Sequence, residues 1–410
     1  MVSGDTIAAI ATAKGRGGVA VIRVSGPAAF AIGERLSGRK IVAGRVAFAH
    51  IGQPTIDEAV VLGFKSPHSY TGEDVVELQC HGGSVSPRRV LEAAISAGAR
   101  LARRGEFTQR AFLNGKLDYD QASGVLDLID AKTNRAADMA LARLSGKIAN
   151  ECRLLYDYAL AISVDLEHAL DVDEGELPAS FVETLGERVA KLAAEIDSAI
   201  RRENEGKILR DGALVVLAGR PNAGKSSLMN ALLDENRAIV RDIPGTTRDS
   251  IEEWLDLDGW PMRLVDTAGL RSSEDAIESE GVRRSEELIR RADVVIDFEG
   301  ELKLGKSVVI HAKCDLSRGC GINVSAKTGE GLETLKAALV ERVSKLDFGG
   351  ADTKADALIS AKSLLPADCS DLVIAGNAMR QVCDRLGESI GASYSEDLLD
   401  RLFSRFCVGK

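Results

Sequence analysis

The sequence predicts a multidomain chain in which an α/β unit is inserted into an all-α helical domain, and an α+β domain precedes both. Three observations carry this reading. Short β-type runs bounded by turn residues fill the first quarter of the chain. Apolar residues spaced by three and four follow from residue 141 and return beyond residue 350, as amphipathic helices require. Between the two helical stretches, an apolar β-run and a glycine-rich turn open an alternation of strand and helix patterns. The expected boundaries are 1–116 for the α+β domain, 117–207 with 344–410 for the helical domain, and 208–343 for the insert.

Bulk properties agree with several packed cores. A chain of 410 residues with 45% hydrophobic content is long enough for two or three of them. No run has signal-peptide or membrane-spanning character, so a soluble cytoplasmic protein without a membrane role is expected. Seven cysteines without a CxxC pair do not suggest a disulfide framework. The net charge of -10 argues against the whole molecule being a nucleic-acid clamp.

In the first domain, 6–13 and 18–24 read as strands around the turn Lys14-Gly15-Arg16-Gly17. Further strands are expected over 58–64 and 74–79, and a helix over 87–97. The stripe Leu141, Leu144, Ile148, Cys152, Leu155, Ala159, Ile162 and Leu166 predicts one long amphipathic helix. A second stripe, Phe181, Leu185, Val189, Leu192, Ile196 and Ile200, needs the same partner surface, so a bundle follows. The pattern Leu372, Met379, Val382 and Leu386 extends that bundle on the far side of the insert.

The insert carries five ordered motifs. Gly219-Arg-Pro-Asn222-Ala223-Gly224-Lys225-Ser226, followed by Ser227, fits a phosphate loop between strand and helix. Its amides cradle phosphates, Lys225 neutralises them, and the Ser226 hydroxyl suits Mg²⁺. About twenty residues on, Arg241-Asp242-Ile243-Pro244-Gly245-Thr246-Thr247 lies where a switch loop presents a threonine to that metal. Asp266-Thr267-Ala268-Gly269 closes an apolar run and supplies a carboxylate and a glycine amide near the γ-phosphate. Lys313-Cys-Asp315 and Ser325-Ala326-Lys327 are base-reading loops, where an aspartate accepts from the N1–H and N2–H₂ of guanine. The chain is therefore expected to be a GTPase with an inserted Ras-like α/β P-loop G domain.

Outside the insert, Tyr70-Thr-Gly-Glu-Asp74, Cys80-His-Gly-Gly83, Gly105-Glu-Phe-Thr108, Arg110-Ala-Phe-Leu-Asn-Gly-Lys116 and the terminal Phe406-Cys407-Val-Gly-Lys410 together resemble the MnmE (TrmE) family of tRNA modification GTPases. The resemblance spans essentially the whole chain. It implies a homodimer that works with an FAD-dependent MnmG (GidA) partner as a heterotetramer. Aminomethyl or carboxymethylaminomethyl groups would be installed at C5 of the tRNA wobble uridine, using 5,10-methylene- or 5-formyltetrahydrofolate. Carried over, Arg23, Glu77, Lys116 and Lys410 are folate-binding: cations suit the folate carboxylates, and a glutamate suits the pterin N–H edge. The family also implies potassium held by Asn222, Arg241, Ile243 and Thr246, magnesium held by Ser226 and Thr247, and Glu278, in the segment 271–281, as the residue that orients water. Leu270 is apolar where some GTPases carry a glutamine.

Other residues stay open at this stage. Cys407 is either a reactive thiol serving the tRNA chemistry or packing for the last helix. His81 has no second ligand pair at metal spacing and reads as a packing or turn residue. Arg88, Arg89, Arg100, Arg103 and Arg104 form a basic cluster that either meets tRNA or is a solvated face. No FAD or NAD fingerprint is present, so a redox step belongs to a partner. The competing reading is a regulatory or ribosome-assembly GTPase that acts as a switch without a part in tRNA chemistry. One departure from the family stands out: Ala312 precedes Lys313 where an asparagine is usual.

Overall fold

A computed structural model of the chain describes residues 4–171, 177–178, 180–236, 252–266, 278–298, 300, 302, 304–346, 353–389 and 403–409. The chain divides into two compact units. The first comprises Met1–Leu126, Leu144–Gly146 and Ser393–Lys410; the second comprises Asp127–Arg143 and Lys147–Ala392.

The first unit is built on a six-stranded sheet. Its strands are β1 (Ile7–Ile10), β2 (Val19–Ser25), β3 (Val46–Ile51), β4 (Asp57–Phe64), β5 (Val75–His81) and β6 (Arg100–Leu101), in the order β3-β4-β5-β2-β1-β6. Only the β1–β6 pair is parallel. Helices α1 (Ala29–Ser37) and α2 (Ser86–Ser96) cover one face, burying Ile22, Val24, Val61, Leu78 and Val90 among others. Pro87 sits in the first turn of α2, where its missing N–H costs nothing. On the other face, α3 (Glu106–Leu113) packs Phe107 against Ile7, Ala9 and Ala102, and α4 (Tyr119–Asp130) follows with Ala122 and Leu126 packed with Phe403 and Phe406. Gly105 must be glycine there: it has φ 66°, and a Cβ would lie 2.5 Å from the carbonyl oxygen of Phe403. Beyond α3, the sheet face of β3, β4 and β2 stays open, with Val46 70%, Val19 58% and Phe48 56% exposed.

The second unit contains a helical bundle and an α/β sheet. Helices α6 (Lys147–Asp171), α7 (Phe181–Asp211), α11 (Thr353–Ser363) and α12 (Leu372–Ser389) share one core that includes Ile162, Leu166, Leu192, Ile196, Leu358 and Met379. Residues from both sides of the insert thus bury the same surface, each fully buried aliphatic side chain contributing about 1.5–3 kcal/mol. The single helix expected through Leu141–Leu166 is instead two. Helix α5 (Asn134–Leu144) ends before Gly146, whose left-handed φ of 75° no helix interior adopts, and Leu141 is 48% exposed. The apolar stripe continued through the break because periodicity does not register one glycine.

Helix α7 leads through Gly212 into β7 (Ala213–Ala218), the centre of a second six-stranded sheet. Its order is β12-β11-β10-β7-β9-β8, with β8 (Glu252–Leu257), β9 (Trp260–Asp266), β10 (Val294–Phe298), β11 (Ser307–Ala312) and β12 (Ile322–Val324). Only β8 runs antiparallel to its neighbour. Helices α8 (Lys225–Asn236), α9 (Glu278–Arg291) and α10 (Leu332–Ser344) flank it. The parallel neighbours β10 and β11 are joined by residues 299–306 alone, fewer than the dozen or so a crossover helix needs. Among the described residues of that connection no helix forms. Instead Asp297, 1% exposed, accepts the Leu302 amide at 2.9 Å, and Lys306 Nζ donates to the Arg290 and Ala292 carbonyls. No described helix is long and apolar enough to cross a membrane.

Candidate functional site

The phosphate loop follows β7, whose six residues are all buried, so the loop starts from a fixed point at the C-terminal edge of the sheet. Asn222 takes φ 64° and Gly224 φ 97°, the left-handed turns that aim successive amides into one concavity. Lys225 is 5% exposed and donates to the carbonyls of Gly219 at 2.8 Å and Arg220 at 2.9 Å. Those two bonds fix the ammonium beside the loop, where an incoming anion would meet it. Ser226 Oγ donates to Asp266 Oδ2 at 2.5 Å, so the hydroxyl and carboxylate expected at the metal side of a nucleotide lie together.

The base-reading loops come from the ends of β11 and β12, which pair in parallel with Ala312 opposite Val324. Ser325, 1% exposed, donates to Asp315 Oδ1 at 2.7 Å and orients that carboxylate. Lys313, at φ 57°, reaches back to donate to the Asn222 carbonyl at 2.9 Å. The link between base loop and phosphate loop is therefore made by Lys313, without the asparagine that Ala312 replaces. Burial and the neighbouring Glu330 push the Cys314 thiol up, so it stays protonated. Residues Arg241, Asp242, Ile243, Pro244, Gly245, Thr246, Thr247, Thr267, Ala268 and Gly269, and the side chain of Glu278, lie outside the described residues.

In the first unit, Arg23 and Glu77 stand opposite each other on β2 and β5, with Arg23 Nε 2.9 Å from Glu77 Oε1. The guanidinium also lies 5.2 Å from the Tyr70 ring centroid and 5.6 Å from that of Phe107. Tyr70 is fixed by Thr108 at 2.8 Å, and burial raises its phenol pKa. Lys116 is exposed and donates to the Pro67 carbonyl at 3.3 Å, so the loop carrying Pro67 and Tyr70 touches both cations. Lys410 lies outside the described residues. Cys407 is exposed rather than packed, and its carbonyl accepts the Gly105 amide at 3.4 Å.

Two readings of the charged residues sharpen. His81 is not a packing residue: its side chain is 70% exposed, and Nδ1 meets Asp57 at 2.7 Å. That bond raises the imidazole pKa. Burial alone would raise the pKa of Asp57, but bonds from Ser86, His81 and the Glu58 amide bring it below the usual value. The arginine cluster is divided. Arg100 pairs with Glu106 and Asp5, Arg103 with Glu106, and Arg104 donates to the Phe406 carbonyl at 2.8 Å, whereas Arg88 makes only a loose 3.7 Å pair with Glu92. Sequence reasoning missed Asp5 because only the fold brings it to Arg100 and Arg110, and it missed Glu106 although Arg103 and Arg110, three residues before it and four after, were a readable signal.

A phosphate loop after the central strand, a carboxylate on its serine and an oriented base-reading aspartate define a GTP-binding protein. The chain matches the models described as "GTP-binding protein TrmE N-terminus" over residues 6–116 and "MnmE helical domain" over residues 120–407. It is 40% identical to the tRNA modification GTPase MnmE of Symbiobacterium thermophilum and 39% to that of Pseudomonas fluorescens, each alignment covering 99% of both chains. The first alignment runs over 460 positions, more than this chain has residues, so part of it stands opposite gaps here. Among solved structures, the G domain of the T. maritima FeoB iron transporter aligns at 28% identity, covering 32% of this chain and 98% of that one with a TM-score of 0.24. The chain belongs to the MnmE family of tRNA modification GTPases: it is a GTP hydrolase acting in tRNA modification.

Proposed function

We propose that this protein works in the cytoplasm as a homodimer with an FAD-dependent partner of the MnmG (GidA) type. Together they install aminomethyl or carboxymethylaminomethyl groups at C5 of the tRNA wobble uridine. The one-carbon unit comes from a tetrahydrofolate, and potassium-stimulated GTP hydrolysis drives a conformational change. The observation that supports this most is the resemblance of both units, end to end, to one family of tRNA modification GTPases. The α+β domain 1–116, the helical domain 117–207 with 344–410 and the G domain 208–343 divide the work.

The residues fit the groups they would hold. Ser226 and Asp266, 2.5 Å apart, offer oxygen donors of the kind Mg²⁺ takes, and Thr247 would complete the set. Such an ion neutralises charge developing on the transferred phosphoryl group. Asn222 would join Arg241, Ile243 and Thr246 around potassium. The Arg23–Glu77 pair, walled by Tyr70 and Phe107, offers a flat ring an aromatic floor, a cation and a carboxylate for its N–H edge. Lys116 and Lys410 would meet the folate carboxylates, and Cys407 stands exposed on the same terminal segment. The open sheet face bearing Val19, Val46 and Phe48 is apolar surface that a second copy would cover.

Mass spectrometry of wobble uridines from a strain deleted for this gene tests the reading. The C5-substituted nucleosides should vanish and return on complementation with the parent, but not with Arg23→Ala. Unchanged nucleosides in the deletion strain would refute it.

A further inference from the structure

The β8–β9 hairpin ties the phosphate loop to the helices. At one end, Asp266 closes β9 and holds Ser226 at 2.5 Å. At the other, the turn Asp258-Gly259, with φ 51° and 82°, is gripped by the start of α5. Thr133, 6% exposed, donates from Oγ1 to the Gly259 carbonyl at 2.8 Å while accepting the Ala136 amide at 3.1 Å. The Arg135 guanidinium lies 4.0 Å from the centroid of Trp260, the first residue of β9. It also donates to Glu205 of α7 from Nε at 3.0 Å and Nη2 at 2.5 Å. Gly259 admits no side chain, since a Cβ would stand 2.9 Å from that of Arg135.

None of these groups belongs to the phosphate or base-reading loops. The hairpin, about 20 Å long by strand rise, joins the turn to the nucleotide site at Asp266, and α7, which carries Glu205, leads into β7 and the phosphate loop. From α5 the contact continues inward. Arg143 bonds Asp127 at 3.3 Å and Glu203 of α7 at 3.0 Å, and Lys354 of α11 lies 3.6 Å from Glu203. Arg143 and Glu203 are 6% and 7% exposed, so their pairing resists separation.

We propose that Thr133 and Arg135 are positioning residues for GTP hydrolysis. They hold the turn of the β8–β9 hairpin, and through it the register of Asp266 against Ser226. The nucleotide is thereby read out at the start of α5.

The test uses the full chain with Thr133→Val, Thr133→Ser and Arg135→Gln. Valine keeps the shape and removes the hydroxyl, serine restores it, and glutamine removes the stacked cation without touching the Thr133 bonds. Two quantities are read: kcat and KM for GTP, and amide hydrogen exchange over 127–144 with GDP and with a non-hydrolysable GTP analogue. The parent should show a nucleotide-dependent difference in exchange there. Thr133→Val and Arg135→Gln should lose it and, by loosening the placement of Asp266 against Ser226, lower kcat about fivefold or more with KM held within about twofold, while Thr133→Ser retains both. The proposal is overturned if the parent shows no such difference, or if the two variants keep the parent's exchange and kcat. A serine variant as impaired as valine, or loss of GDP affinity in all three, would mark these as folding residues and overturn it equally.

Discussion

Replacing Glu106 with glutamine should loosen the β1–β6–α3 corner of the first unit, and the size of the effect follows from what surrounds the carboxylate. Its side chain is 2% exposed and accepts Arg100 Nη2 at 2.7 Å and Nη1 at 3.1 Å, the Arg103 amide at 2.7 Å and Arg110 Nη2 at 3.2 Å. Burial alone would raise its pKa, but these donors outweigh burial and hold it at about 2, against 4.5 for a free glutamate. Each pKa unit is worth 1.36 kcal/mol, so the ionised form is favoured in the folded state by about 3 kcal/mol. Because the folded pKa is the lower one, this stability is fully present above about pH 4.5 and is lost as pH falls towards 2. Glutamine keeps one acceptor and brings an amide N–H₂ towards guanidinium donors, while Asp5 and Glu73 continue to neutralise Arg110 at 2.7 and 3.2 Å. A loss of about 2–3 kcal/mol in local opening free energy at pH 7 is expected, most of the charge contribution with some relief from those neighbours. Amide hydrogen exchange of peptides covering 6–10 and 99–113 measures it, after correction for intrinsic rates. The gap between parent and Glu106→Gln should narrow when the comparison is repeated near pH 3. Equal protection at pH 7, or a gap that does not change with pH, would show that the carboxylate charge does not hold this corner.

Four further outcomes concern the nucleotide. Ala312→Asn should tighten GDP binding by about 2- to 10-fold, the equivalent of one neutral hydrogen bond of about 0.5–1.5 kcal/mol; calorimetry decides it, and no gain would mean another group already serves guanine N7. Asp315→Asn should cost more than that and relax the choice between GDP and xanthosine diphosphate in the same titrations. Hydrolysis should be faster in K⁺ than in Na⁺ at equal ionic strength, with G domains pairing during turnover, and equal steady-state rates would remove potassium from the scheme. Glu278→Ala should lower kcat by roughly 100-fold or more with GTP binding intact, and an unchanged kcat would move the water-orienting role elsewhere.

Local order along the chain was enough for much of this protein. The phosphate loop announces itself because a strand, a glycine turn, a lysine and a serine must be contiguous to cradle phosphate. Strands β1, β2, β4 and β5 and helix α2 show through turn residues and apolar alternation. The split bundle shows because helices on either side of the insert carry apolar stripes that need burial. Helices α1 and α3 and strand β3 went unread, since each is short and its apolar residues answer to a neighbour rather than to a regular period.

What tertiary structure decided are pairings across long intervals. Arg110 with Asp5 and Glu73, His81 with Asp57, Lys313 with Asn222 and Thr133 with Gly259 are each set by sheet order or helix packing. A sequence states which residues are neighbours along the backbone, and short-range hydrogen bonding turns that into helices, strands and loops. Which buried charge meets which partner depends on where those elements pack. The His81 ring became an exposed, carboxylate-held imidazole, and Arg100 became part of a corner rather than a basic surface, only once the fold had brought Asp57 and Asp5 to them.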